Sequence, residues 1–257
     1  MHLPLKIRLK LLRQEILATL RIAGHTRVKI ADHPLGAAIS VFDGEVIVPS
    51  PWRWKLYRKG WAARLDQLER EYGVGKYITL NADSTILDVG ANAGEFAHIA
   101  ARYGARIFCA EPDDAVRACL QHNISSLSTA SAHDALFWKE QTDLAFTSIP
   151  DHADSSVFGE HQEKSQLRRT TTIDDFCQTN AIDKLEFIKC DAEGAEPEVL
   201  QGATRILSST QAIAVDTGAE RKGNRTHIEC KSILENAGFT VIDEAVDKRL
   251  MTYGVRT

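Results

Sequence analysis

Apolar residues along this chain change period several times, and each change predicts an element. Residues 3–22 place Leu5, Leu9, Leu12, Ile16 and Leu20 at helical spacing with basic residues between them, which predicts an amphipathic basic helix. The stretch AAISVFDGEVIVP then alternates apolar and polar around Asp43-Gly44, the signal of a two-residue hairpin. Residues 51–72 interleave Trp52, Trp54, Tyr57 and Trp61 with Arg53, Lys55, Arg58, Lys59 and Arg64. That pattern predicts a helix laid over a sheet, with buried indoles and basic stems in solvent. Stacking on sugars is the functional alternative for the same aromatics.

From Thr85 onward, short apolar runs alternate with helical patterns. Buried strands are predicted in Ile86–Val89, Ala105–Pro112, Thr129–Phe137, Leu185–Asp191 and Ala212–Asp216. Helices are expected at Val116–Asn123, from Thr172, and at His227–Asn236. Residues 138–172 look like an inserted pair of strands with a polar loop, HADSSVFGEHQEKSQ, forming a lid or substrate wall. The chain closes with TVIDEAVDKRLMTYGVR, a terminal hairpin. Five parallel strands closed by an antiparallel hairpin predict an α/β, Rossmann-like, class I methyltransferase sheet. It has seven mostly parallel strands in the order 3-2-1-4-5-7-6. Residues 1–70 form an N-terminal extension of helix, hairpin and Trp-rich helix, and 71–257 the sheet domain.

Candidate chemistry concentrates at the carboxyl ends of these strands. In TILDVGANAGEFAH (Thr85–His98) the turn reads D-x-G-x-N-x-G rather than the G-x-G-x-x-G of a dinucleotide site. An acid at Asp88 repels phosphate and suits an amino-acid ammonium, which points to S-adenosylmethionine rather than NAD. Glu111, 17 residues past Gly94, ends the second strand where it can accept hydrogen bonds from a ribose. Asp134 ends the third strand, to hold an adenine amino group or to cap the next turn. Candidate cofactor-binding residues are Asp88, Gly90, Asn92, Gly94, Phe96, Glu111, Pro112, Asp134, Ala135 and Asp191. After the fourth strand, Asp191, Glu193 and Glu196 cluster around Gly194, ahead of Pro197. Three acids in one tight turn are costly unless they bind something, so they are the candidate catalytic residues.

At 44% hydrophobic and 26% charged, the composition is that of an ordinary soluble protein. Five scattered cysteines with no C-x-x-C read as reduced thiols in a cytoplasmic protein, not a disulfide frame or zinc site. No apolar run is long enough to span a membrane. Charge is divided: residues 1–80 carry 14 Lys+Arg against 7 Asp+Glu, and the remainder 17 against 28. Net acidity argues against nucleic acid as a partner. The basic helix at 3–22 packs on its own domain or a homodimer partner, or attaches peripherally to an anionic membrane surface or an acidic carrier.

The motifs TILDVGANAGEF, FCAEP, TTIDDF and FIKCDAEGAEPEVLQGA together resemble the FkbM-type methyltransferases over roughly Tyr72 to Val241. Ser155-Ser156 also resembles a serine pair of that family. The resemblance implies methyl transfer from S-adenosylmethionine to an oxygen of a sugar, glycan or glycosylated or polyketide-type metabolite. It implies that Asp191 and Glu193 face the sulfonium and the acceptor. Pro197 and Asp216-Thr217 depart from the family pattern on the acceptor side. A divalent ion held by Asp191, Glu193 and Asp216 is conceivable in such a turn, though no histidine stands at ligand spacing. A partner-docking module without catalysis and an NAD-dependent oxidoreductase are the alternatives. The glycine spacing, Asp88 and the closing hairpin speak against the latter.

Overall fold

The structure, a computed structural model, describes residues 3–22, 25–149, 151, 155–159 and 165–256. The extension consists of helix α1 (Leu5–Thr19), an antiparallel sheet of β1 (Lys29–His33), β2 (Gly36–Val41) and β3 (Gly44–Val48), a 3₁₀ segment (Pro51–Tyr57) and helix α2 (Trp61–Glu71). Strand β1, KIADH, carries no clear alternation and is not apparent in the sequence. The hairpin loop is Phe42-Asp43, with Val41 facing Gly44. The aromatic-basic stretch is two elements rather than one helix. Gly60, at φ +106°, breaks it, and a Cβ there would meet the Phe42 ring at 2.7 Å.

The sheet domain follows as β4 (Thr85–Val89), α3 (Glu95–Arg102), β5 (Arg106–Ala110), α4 (Asp114–Asn123) and β6 (Ala130–His133). The insertion contributes the antiparallel pair β7 (Asp143–Thr147) and β8 (Ser165–Arg169). Of the polar loop between them, residues 155–159 lie within the described chain. The remainder is α5 (Ile173–Thr179), β9 (Phe187–Cys190), α6 (Glu196–Gln201), α7 (Thr204–Leu207), β10 (Ala212–Asp216), α8 (His227–Asn236), β11 (Thr240–Val246) and β12 (Arg249–Val255).

Sheet order is β6-β5-β4-β9-β10-β12-β11, with β6 to β10 parallel and the final hairpin antiparallel. This is the expected class I methyltransferase order. The central strands β4, β9 and β10 are buried along their whole length, because helices cover both faces. One core layer gathers Leu87, Ile188, Val199 and Leu234, the other Ile86, Phe96, Ile107 and Tyr253. All five cysteines are free and buried in these layers or beside them.

The extension is seated on the sheet domain by polar pairing as well as by burial. The Asn123 side chain imitates a strand edge. Its amide donates to the carbonyls of Ile47 and Ala93 at 2.8 Å, and its oxygen accepts from the Ile47 N–H at 2.9 Å. Helix α2 runs across the boundary expected at residue 70 and delivers Glu71 and Tyr72 to the ends of the strands.

Candidate functional site

Parallel register builds the site. Val89 faces both Ala110 and Cys190, Cys190 faces Val215, and Ala110 faces His133. The residues after these therefore form a row at the carboxyl edge: Asp134, Glu111, Gly90, Asp191 and Asp216. A cavity of about 730 Å³ opens over that row. Gly90 lies at φ +71°, and a Cβ there would stand 2.0 Å from the Asp191 carbonyl oxygen, so only glycine lets the two turns approach. Asn92, at φ +53°, holds a left-handed conformation that Asn tolerates better than most residues.

Asp88 and Lys189 face each other across β4 and β9. The Lys189 ammonium stands 2.7 Å from the Asp88 carboxylate and also donates to the carbonyls of Val89 and Gly90 at 3.2 and 2.8 Å. Burial drives the Asp88 carboxyl upward against the pull of Lys189. Burial also opposes the Lys189 charge, but Asp88 and Asp191 outweigh it and raise the ammonium. Apart from the Lys189 ammonium, neither Asp88 oxygen has a hydrogen-bond partner among the described residues. Its acceptor capacity remains open toward the cavity that it lines.

Glu111 accepts the N–H groups of Asn92 and Asp113, both at 3.0 Å. Burial pushes its carboxyl up to about 7, against those two bonds. Phe96, Pro112 and Ala135 line the same cavity, and Phe96 packs edge-on to Tyr72 with ring centres 5.7 Å apart. Arg53, from the extension, is buried beside them and bonds the Asn92 side chain. This departs from the expectation that the basic residues of 51–72 stay in solvent. Asp134 also departs from expectation. Its carboxylate turns away from the cavity lining to Arg117, at 3.1 Å, and to Arg168, where two guanidinium groups satisfy it.

At the opposite pole the acid turn is shaped by two consecutive left-handed residues, Glu193 at φ +50° and Gly194 at φ +93°. Glu193 and Asp191 line the cavity. Glu196 does not. One of its oxygens accepts the N–H groups of Ala192 and Gly194 at 3.1 and 2.9 Å, and the other accepts the Thr226 hydroxyl at 3.0 Å. It braces the turn from beneath, and burial lifts its carboxyl to about 7.

Asp191 accepts from the Tyr72 hydroxyl at 2.8 Å and from Arg249 at 3.0 Å. Burial favours its neutral form, but Arg249, Lys189 and those hydrogen bonds prevail and hold the carboxyl below its usual range. Arg249 also pairs with Asp216, lies 3.6 Å from Glu71 and approaches Glu220 at 3.9 Å. Glu220 lines the cavity, and burial together with Asp191 and Glu193 pushes its carboxyl up to about 10. Asp191, Asp216 and Glu220 bring one oxygen each within 4.8 Å of one another, the spacing of a metal cage. The Arg249 guanidinium already pairs with Asp191 and Asp216 and stands beside Glu220, so a divalent ion would have to displace it.

The insertion forms a wall of the cavity, as the polar loop implies. Ser155 donates to Asp113 at 2.8 Å and Ser156 donates to the Glu193 carbonyl at 2.9 Å. The serine pair thus fastens the wall to both poles. Tyr72, Lys189, Glu220 and Arg249 are site residues absent from the expected set. Lys189 stands two positions before Asp191 in the acidic motif, whereas Tyr72 and Arg249 arrive only through the tertiary fold.

The profile of the family described as Methyltransferase FkbM domain matches residues 88–241. The chain belongs to this family. Its FkbM domain is that of an S-adenosylmethionine-dependent methyltransferase. Among curated proteins it is 25% identical over 150 residues to the 2-O-methyltransferase NoeI of Sinorhizobium fredii (strain NBRC 101917 / NGR234), over 51% of this chain and 62% of that one. The match thus spans less than two thirds of that relative. Among solved structures, it is similar to Aeropyrum pernix fibrillarin, at TM-score 0.49 and 12% identity over 89% of this chain and 99% of that one. A SAM dependent methyltransferase from Aquifex aeolicus follows at TM-score 0.46 and 14% identity, over 79% of this chain and 92% of that one.

The residues present fit S-adenosylmethionine. Asp88 offers a buried carboxylate with acceptor capacity beyond its Lys189 contact for an ammonium, Gly90 admits close approach, and Glu111 offers a carboxylate for a diol. No helix among the described residues is long and apolar enough to cross a membrane.

Proposed function

We propose that the protein is an O-methyltransferase acting on a hydroxyl of a sugar, glycan or glycosylated or polyketide-type metabolite. The observation that carries this is the acidic pole of the cavity. Asp191, held ionised, keeps one buried oxygen without a hydrogen-bond partner among the described residues, and the raised carboxyl of Glu220 stands beside it. Such an oxygen is costly unless a ligand donates to it, and a polyol is rich in donors. The 2-O-methyltransferase name of the rhizobial relative agrees with an oxygen acceptor.

When bound, S-adenosylmethionine supplies a methyl group made electrophilic by its sulfonium. Asp88 and Glu111 would hold its ammonium and ribose, with Gly90, Asn92, Phe96, Pro112 and Ala135 shaping the seat. Gly94 lies outside the cavity lining and packs on Leu120 and Ile124. The chain must then hold the acceptor oxygen in line at about 3–3.5 Å, which contributes roughly 7–11 kcal/mol to lowering the barrier. Glu193 would take the hydroxyl proton as the new bond forms, adding about 10²–10⁴ in rate. Asp191, held ionised by Arg249 and Tyr72, is the weaker base and orients the acceptor. Glu196, turned into its own loop, takes no part in the transfer.

The test is a screen with methyl-labelled S-adenosylmethionine against glycans, free sugars and glycosylated polyketides, with amine and carboxyl acceptors alongside. A label on a sugar hydroxyl, placed by NMR, is the expected product. Labelling confined to nitrogen or carboxylate would overturn the proposal. Calorimetry with S-adenosylhomocysteine and NAD checks the cofactor independently, since micromolar affinity corresponds to about −8 kcal/mol.

A further inference from the structure

Helix α1 has two apolar faces, and only one of them is used. On the inner face Ile7 is fully buried, and Leu3 and Leu11 pack with the cluster of Ile39, Val48 and Tyr57. The buried Gln14 side chain locks this face down, donating to the carbonyls of Thr26 and Arg58 at 2.8 Å each. The outer face presents Leu5, Leu9, Leu12, Ile16 and Leu20, between 52% and 68% exposed. At 3.6 residues per turn these five fall within an arc of about 80°. A single exposed leucine needs no explanation, but an unbroken line of five does.

Basic residues flank the line. Lys6, Lys10 and Arg13 stand on one side and Arg8 on the other, with Glu15 the single acid of the helix. Lys55 of the 3₁₀ segment lies so near Lys10 that its charge pulls the Lys10 ammonium below its usual value. Its neighbours Arg53 and Leu56 line the cavity. The outer face of α1 is therefore apolar, positively charged and joined by one short segment to the cavity mouth.

A second copy of the chain is a poor occupant. A helix of 15 residues is about 22 Å long, and a strip roughly 10 Å wide covers about 220 Å², far below the roughly 800 Å² per partner of a stable interface. Self-pairing would also bring four basic residues and one acid against the same set. A lipid surface with anionic headgroups meets both features at once: leucines enter the acyl boundary while lysine and arginine remain among the headgroups. We infer that the outer face of α1 docks the protein onto an anionic bilayer surface, beside the mouth of the cavity. This holds whatever the cavity methylates.

The experiment is co-sedimentation of the full chain with phosphatidylcholine vesicles, with and without a minor fraction of phosphatidylglycerol. Binding is expected only to the anionic vesicles, and it falls as salt rises. Lys6→Gln/Lys10→Gln/Arg13→Gln weakens it by roughly a hundredfold, at about one kcal/mol per charge. Leu9→Ser/Leu12→Ser, whose side chains point outward, abolishes it while circular dichroism and the thermal midpoint stay at wild-type values. Equal partition to neutral vesicles, no partition to either, or binding untouched by both variants would overturn the inference. A dimer in light scattering that Leu9→Glu dissociates would assign the face to a second copy and overturn it equally.

Discussion

Lys189 crosses from β9 to set its ammonium 2.7 Å from the carboxylate of Asp88 on β4, and both side chains are buried. Breaking such a pair strands a charge in the core. Lys189→Met is expected to destabilise the fold by about 3–5 kcal/mol in urea denaturation. Adding Asp88→Asn removes the stranded charge and recovers most of that loss, yet it also weakens binding of S-adenosylhomocysteine in calorimetry. A double variant that folds but binds normally would remove Asp88 from the cofactor site.

Glu111 makes cofactor binding pH-dependent. Its carboxyl in the free protein is raised to about 7, and a ribose diol prefers the ionised form. Affinity should thus fall as pH drops below about 7, by up to roughly tenfold per unit, and binding in that range should release protons. Calorimetry in buffers of different ionisation heat measures both, and Glu111→Gln should flatten the profile.

For Glu196 the sign concerns stability. Its folded carboxyl is raised to about 7 from an ordinary 4.5, so the folded state binds more protons between those values. The stabilisation is complete below about 4.5 and is lost as pH climbs through about 7. Glu196→Gln keeps an acceptor for Ala192 and Gly194 and avoids burying a charge. It is predicted to match the wild type near pH 5 and to exceed it by about 1–3 kcal/mol near pH 8, read from denaturation midpoints.

The two cavity acids of the turn separate by function. Glu193→Gln should lose about 10²–10⁴ in turnover while keeping its affinity for S-adenosylhomocysteine. Turnover like that of the wild type would remove Glu193 from the proton transfer.

Arg249 is the counter-ion of Asp191 and Asp216, so methyl transfer should survive a chelator. Arg249→Met leaves those carboxylates facing one another and should cost about 3–5 kcal/mol of stability. Turnover that disappears with EDTA and returns with magnesium would show that the guanidinium yields its place to a metal.

The sheet was legible in the chain because its strands are short apolar runs bounded by glycine, proline and acids. Residues 212–216 and 227–236 begin and end where their patterns do. The row of acids at the sheet's carboxyl edge was legible for a related reason. Register alone carries residues following parallel strands, such as Glu111 and Asp191, to one edge. Glu196 was misplaced because spacing cannot distinguish an acid aimed at a cavity from one aimed at its own turn. Asp134 reached the right row, and its side chain then turned to two arginines that no local pattern announces. Tyr72 and Arg249 meet Asp191 across separations of 119 and 58 residues, so only the folded hairpin and the seated extension bring them there.

Tyr72 and Arg249 also lie outside residues 88–241, the stretch that carries the family likeness. In the proposed reading the donor's seat and most of the acidic pole lie in the shared middle of the chain, and the ends add Tyr72 and Arg249 to that pole. Two chains with the same middle and different ends would hold the donor alike and present different rooms to the molecule being methylated. In such a pair the reaction would be inherited with the middle, while the ends would adjust the fit of the substrate.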